Sequence, residues 1–263
     1  MLNIVIPMAG RGSRFSSAGY DMPKPLIQVM GQPMIRLVIE NLRPARPHKF
    51  IFICQQEHRE KYAVDSLLRS VCPGSEIVFI DEVTEGAACT VLAASQYIDN
   101  GAPIMIANSD QWINASIDEY LTKSDESALD GLIMTMYEDN PKWSYVKLDE
   151  AGYALEVAEK RVISNNATVG IYSFRHGADF VMGANEMIRK AKRVNGEFYV
   201  APVYNELIHQ GQRIGAHSIG GIGTGMFGLG TPEDLEFFLK TDESRAALDC
   251  INKRNQILNT NML

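Results

Sequence analysis

The chain has 263 residues, with 25 Lys and Arg against 32 Asp and Glu, and a formal net charge of −7. Its 46% hydrophobic and 22% charged residues suffice for a full core, which excludes a disordered chain. The acidic balance excludes a general binder of nucleic-acid polymers, which needs a basic surface to displace counterions.

Apolar, β-branched runs at 2–6, 50–54, 76–80, 103–107, 131–137, 168–174 and 213–219 predict strands. Between the early ones, the periods of 33–43, 58–71, 87–98 and 115–123 predict helices. Near-continuous runs such as Ile4-Val5-Ile6 and Phe50-Ile51-Phe52-Ile53 suit strands covered on both faces of a parallel sheet. After residue 140 the pattern changes. Segments 144–148 and 153–159 flank Asp149-Glu150-Ala151-Gly152, a hairpin-like turn. Helices are expected at 177–193 and 199–210. Thr231-Pro232 then caps and opens a helix at 232–240, and a last one spans 244–256. The fold class expected is α/β, with a doubly wound, mostly parallel sheet and an elaborated C-terminal half. No Pro/Gly/Ser-rich linker interrupts it. Residues 1–263 therefore read as one domain, split by the change of pattern into halves at 1–125 and 126–263, the second carrying the C-terminal helices.

The charge is unevenly spread. Residues 1–50 hold seven Lys and Arg and only two acids, Asp21 and Glu40. Arg36, Arg43, Arg46 and Lys49 read as solvated charges, which leaves Arg11, Arg14 and Lys24 near a glycine-rich loop. Cys54, Cys72, Cys89 and Cys250 form no C-x-x-C pair and read as buried thiols of a reducing compartment. The five histidines have no metal-ligand spacing. The first residues lack a positive n-region and no stretch reaches the length of a membrane span, so a cytoplasmic protein without a membrane partner is expected.

Residues 8–27 read Met-Ala-Gly-Arg-Gly-Ser-Arg-Phe-Ser-Ser-Ala-Gly-Tyr-Asp-Met-Pro-Lys-Pro-Leu-Ile and follow the first strand, where open α/β sheets place their ligand crevice. Ala9, Gly10, Gly12 and Ser13 offer backbone N–H groups to phosphate oxygens. Arg14 adds a forked cation, and Lys24 a point charge stiffened by its flanking prolines. A dinucleotide fingerprint would need glycine where Phe15 stands, and a P-loop would need Gly-Lys-Ser/Thr.

The whole pattern, a strand, Gly-x-Gly-Ser-Arg and then Pro-Lys, resembles the signature of the sugar-phosphate nucleotidyltransferases (NDP-sugar pyrophosphorylase-like). Its wording is similar to the branch found with capsule and surface-polysaccharide biosynthesis. The resemblance implies a Rossmann-like, GT-A-like fold and assigns further positions. Glu85, Gly86 and Ala87 would lie along the nucleotide base. Asp110, ending the strand Ile104-Met105-Ile106-Ala107-Asn108-Ser109-Asp110-Gln111, would bind Mg²⁺. Glu159 and Lys160 would hold the acceptor, with Gly170 and Glu197 beside them, although an adjacent Glu-Lys is ordinarily a solvated pair. Arg161 stands where the family commonly has Pro, and Gly228 where many relatives carry a second metal Asp, so the second ligand is open.

The reaction implied is transfer of NMP from an NTP, with CTP or UTP favoured, to a sugar 1-phosphate or similar small phosphorylated acceptor. Pyrophosphate leaves, and Arg14, Lys24 and Asp110 are the catalytic set. A glycosyltransferase using a nucleotide-sugar would ordinarily show Asp-x-Asp, where this chain has Asn108-Ser109-Asp110. A non-catalytic nucleotide-binding regulator would not need all three charged residues. Base, acceptor and oligomeric state stay open, a homo-oligomer included.

Overall fold

The computed structural model describes residues 1–260, with side chains to Gln256. In chain order the strands are β1 (Leu2–Pro7), β2 (Gln28–Val29), β3 (Gln32–Pro33), β4 (His48–Gln55), β5 (Glu76–Ile80), β6 (Ile104–Ala107), β7 (Gln111–Ile113), β8 (Gly131–Tyr137), β9 (Ser144–Leu148), β10 (Ala154–Glu159), β11 (Asn166–Phe174), β12 (Ile214–Gly221) and β13 (Met226–Gly228). Nine of them form one sheet, ordered β10-β9-β11-β6-β1-β4-β5, with β8 pairing β11 and β12. The strands β6, β1, β4 and β5 run parallel. β11 pairs antiparallel with β6, β8 and β9, which makes the second half mixed.

The apolar run at β1 explains its central place. Ile4 and Ile6 enter the core beneath the helix Met34–Leu42. Val5 points the other way, to the core shared with the helix Gly177–Arg189. Alternate side chains of one strand thus serve two cores, as expected of a strand covered on both faces. A third cluster joins Phe15, Trp112, Phe227, Leu235, Phe238 and Ile251. It ties the glycine-rich loop to the helices Pro232–Leu239 and Asp242–Thr260.

Most expected elements form, with informative differences. The segment 58–71 is two helices, Gln56–Tyr62 and Val64–Val71, because Ala63 turns left-handed at φ 48°. That break lets Val64 and Leu68 reach the core. The 87–98 segment likewise splits into Ala87–Leu92 and Ser95–Ile98, with Ala93 and Ala94 making three-residue turns instead. The 177–193 helix stops at Arg189, since Lys190 and Lys192 both turn to the buried carboxylate of Glu206, at 2.7 and 2.6 Å. In 199–210, Pro202 limits the helix to Tyr204–His209 after a 3₁₀ turn. The expected burial holds for Cys54 and Cys72. It is corrected for Cys89, which is half-buried, and for Cys250, which is exposed on the outer face of the last helix. No helix among the described residues is long and apolar enough to cross a membrane.

Candidate active site

The chain passes from β1 through β4 to β5 on one side and then returns to place β6 on β1's other edge. The two connections diverge at the carboxyl ends of β1 and β6, which is where such sheets open a crevice. The loop leaving β1 is anchored first. The Met8 N–H donates to the Ile53 carbonyl at 2.9 Å, and the Gln55 amide donates to the Ala9 carbonyl at 2.6 Å. Gly12 takes φ 61°, a conformation suited to glycine, and caps the short helix Ser13–Ser17. Phe15 faces inward, 1% exposed, so the position that breaks the dinucleotide fingerprint is a core anchor.

Lys24 opens a 3₁₀ turn between Pro23 and Pro25. Its Nζ donates to Asp110 Oδ2 at 2.7 Å, and both side chains stay about a quarter exposed, at 25% and 23%. Asp110 follows the end of β6, and its carbonyl accepts from the Leu229 N–H at 2.8 Å. Gly230 lies so close that a Cβ there would stand 2.6 Å from Asp110 Oδ2. The missing side chain keeps that carboxylate open to the crevice.

The crevice has two lobes. One, of about 670 Å³, is lined by Ala9, Gly10, Gly12, Ser13, Lys24, Gly86 and Ala87, with Arg11 beside them. The other, of about 580 Å³, is lined by Arg14, Glu159, Lys160, Gly170 and Glu197. Asp110, Ala87, Asn108, Glu197 and Tyr199 belong to both. These volumes suit small ligands. Arg14 has no side-chain partner among the described residues and lines the second lobe, not the lobe of the loop amides.

Glu85 does not line either lobe. Its carboxylate pairs with Arg193 at 2.9 Å, and the Arg193 guanidinium stacks over Phe198 at 4.2 Å. Gly86 has a structural duty as well. At φ 129° it abuts the Phe198 backbone, whose N–H donates to the Glu85 carbonyl and whose carbonyl accepts from the Ala88 N–H. The first half of the chain is thereby stitched to the segment carrying Glu197 and Tyr199.

Glu159 accepts a short hydrogen bond from the Ser144 hydroxyl. Burial pushes its carboxyl above the usual range, with that hydrogen bond and Lys160 opposing. Lys160 adopts φ 53°, a strained choice for a side-chain-bearing residue. Its Nζ donates to the Tyr199 hydroxyl at 2.7 Å and sits 4.8 Å from that ring's centre. The Tyr199 hydrogen bond raises the ammonium's pKa, so it stays charged. Arg161 turns away to Glu156.

A family model of nucleotidyl transferases matches residues 4–213. The chain belongs to the nucleotidyl transferase family. It is therefore an enzyme of the nucleotidyltransferase class. It is 25% identical over 217 residues to the bifunctional protein GlmU of Methanococcus maripaludis, covering 80% of this chain and 48% of that one. The chain thus spans about half the length of the GlmU relatives it matches. It is 22% identical to the UTP–glucose-1-phosphate uridylyltransferase AglF of Haloferax volcanii, over 89% of this chain and 94% of that one. Among solved structures, a nucleoside-diphosphate-sugar pyrophosphorylase from Vibrio cholerae superposes with a TM-score of 0.79 at 28% identity. That match covers 90% of this chain and all of the other.

In this transferase several lining residues escaped the sequence reading. Asn108 and Gln111 flank Asp110 and both face the second lobe, as do Trp143 and Tyr172. Asp234 is there too. Its N–H bonds the Thr231 cap at 3.1 Å, and its carboxylate lies against Gly228, about 3.2 Å from where a Cβ would stand. The Thr-Pro helix start explains Asp234 locally and so hid its second orientation, toward the cavity.

Proposed function

We propose that the enzyme transfers the NMP group of CTP or UTP to a sugar 1-phosphate or a similar small phosphorylated acceptor, supplying precursors of surface polysaccharide. The observation that carries this reading is the Lys24–Asp110 contact standing between a lobe walled by loop amides and a lobe walled by Glu159 and Lys160. An acceptor phosphate oxygen attacks the α-phosphorus, the bond to the bridging oxygen breaks, and pyrophosphate leaves. The acceptor phosphate is already an anion, so the difficulty is bringing like charges together rather than removing a proton. The loop amides of 9–13, with Arg11, hold the β- and γ-phosphates, and Arg14, which lines the second lobe, adds positive charge on the acceptor's side. Lys24 stabilises charge at the α-phosphate. Lys160 guides the acceptor phosphate, and Glu159 accepts a hydrogen bond from the acceptor's polar end.

The donor set suits Mg²⁺, a hard cation that takes one or two carboxylates and keeps phosphate oxygens and waters. Asp110 and Asp234 would hold it: both line the second lobe, and Gly230 and Gly228 leave both carboxylates uncovered. Bound there, the ion would neutralise charge on the phosphates of the NTP. Asp234 would thus serve where Gly228 has no side chain. Asp234→Asn should weaken Mn²⁺ binding in the presence of NTP by ~10-fold or more, the scale on which metal-site substitutions act. Electron paramagnetic titration of free Mn²⁺ measures this, and wild-type affinity in the variant would remove Asp234 from the site.

The raised Glu159 pKa gives a second expectation. Its carboxylate accepts hydrogen bonds at both oxygens, with full charge, only when ionised, so acceptor kcat/KM should fall as pH drops through a value above ~4.3, the ordinary carboxyl pKa. Glu159→Gln should raise acceptor KM and erase that limb. An unchanged pH profile in the variant would show that Glu159 does not face the acceptor.

The likeness of the Gly86-Ala87 segment to that of pyrimidine-reading relatives supports a pyrimidine base. Thermal shifts with the four NTPs and Mg²⁺ test this. CTP or UTP should stabilise most, and a larger shift with ATP or GTP would overturn the base assignment.

A further inference from the structure

Gln111 begins β7, and its backbone is fixed opposite Gly228 of β13. Its side chain is 2% exposed and lines the second lobe. Its Nε2 is buried without a hydrogen-bond partner among the described residues. Most buried amides are satisfied, and an orphaned donor lowers stability unless a ligand meets it. The surroundings do not crowd the amide in by accident. Gly170, at φ 80°, has no Cβ where one would collide with Asn108 and stand 2.8 Å from Gln111 Oε1. The backbone of β11 thus leaves room for two carboxamides beside Asp110. A second lining residue, Trp143, also carries a buried indole N–H with no partner among the described residues. Among the described residues, the two fully buried side-chain atoms of this lobe without a partner are both donors, and they call for an oxygen that accepts.

We infer that Gln111 is a specificity-determining residue, donating through Nε2 to an oxygen on the part of the acceptor remote from its phosphate. The inference rests on the second lobe being the acceptor site. The oxygen is a hydroxyl if the acceptor is a sugar phosphate, or a carboxylate if it is a phosphorylated acid. A site built around such a donor rejects analogues lacking the oxygen, because the donor is then left unpaired.

The test compares wild type with Gln111→Met, similar in length but unable to donate, and Gln111→Glu, which offers an acceptor instead. Melting is measured without ligand. Pyrophosphate release is measured with the preferred NTP and two probes, glucose 1-phosphate and O-phosphoserine. Gln111→Met should melt no lower than wild type, since it removes an orphaned polar group. Its kcat/KM for the probe that wild type uses should fall by about 10–100-fold with the KM for NTP unchanged. Gln111→Glu should lose more with O-phosphoserine if that is the probe used, through repulsion of its carboxylate, and less with glucose 1-phosphate. A Gln111→Met variant that melts well below wild type, or keeps its acceptor kcat/KM, would overturn the inference. If wild type uses neither probe, the same comparison is made with the small phosphorylated acceptor it does use. Failure to release pyrophosphate with any acceptor counts against the transfer reading, while a Gln111→Met variant melting well below wild type still refutes the orphaned donor.

Discussion

Replacing Lys24 with alanine should slow turnover by about 10²–10³-fold, the loss seen when one preorganised charge-stabilising donor is removed. The side chain is built into place: prolines on both sides fix its backbone, and the 3₁₀ turn aims it at Asp110. That rigidity matters because the transition state gains most from charge already oriented toward it. The loss should fall on kcat, with the KM for NTP moving little, since the loop amides still hold the outer phosphates. Stability should change only modestly. Lys24 and Asp110 are each about a quarter exposed, and water can screen the carboxylate left behind. Lys24→Arg should not restore the rate, because a planar fork does not substitute for a compact ammonium in a tight turn. Steady-state pyrophosphate release with matched melting curves checks this; a variant that is folded and near wild type in kcat removes Lys24 from the chemistry.

The second large effect should come from Gly86→Ala. The added Cβ would land on the Phe198 backbone, and φ 129° is a conformation that side-chain-bearing residues rarely adopt. Neither partner can yield cheaply. The Gly86 carbonyl accepts from the Thr84 and Thr90 hydroxyls at 3.0 and 3.2 Å, and Phe198 is held on both sides by backbone hydrogen bonds. Strain and overpacking together should cost about 3 kcal/mol. Because Glu197 and Tyr199 line both lobes, the KM values for NTP and for acceptor should rise together. Gly10→Ala is the informative contrast. No atom of the described residues lies within 4 Å of a Cβ there, so the fold should keep its stability and only the NTP KM should rise. Denaturant unfolding of the two variants separates these outcomes; equal stability for Gly86→Ala and wild type would contradict the stitched junction.

The parts legible in the sequence were those whose chemistry is local. The β1 loop announced itself because two glycines, a Pro-Lys-Pro and a preceding apolar run lie within one short stretch. Asp110 was legible as an acid ending an apolar strand. Less legible was anything set by pairing across the chain. The antiparallel insertion of β11 beside β6 depends on where a distant hairpin docks, which no local period records. Gly86 read as a small residue beside a base, whereas its steric need is the backbone of residue 198. Glu85 read as a base neighbour, and its partner Arg193 lies 108 positions away. Gln111 and Asp234 have ordinary local explanations in the sequence, the end of an apolar strand and the start of a helix. Only the cavity that both line gives them a second meaning.

The most direct measurement is pyrophosphate release by purified enzyme with Mg²⁺, each of the four NTPs, and a panel of sugar 1-phosphates and small phosphorylated metabolites. The result expected is release that requires both an NTP and one acceptor, one pyrophosphate per NDP-linked product, with CTP or UTP preferred and with Asp110→Ala and Lys24→Ala strongly impaired. NTP binding without release across the whole panel, or release undiminished in both folded variants, would contradict the proposed transfer at this site.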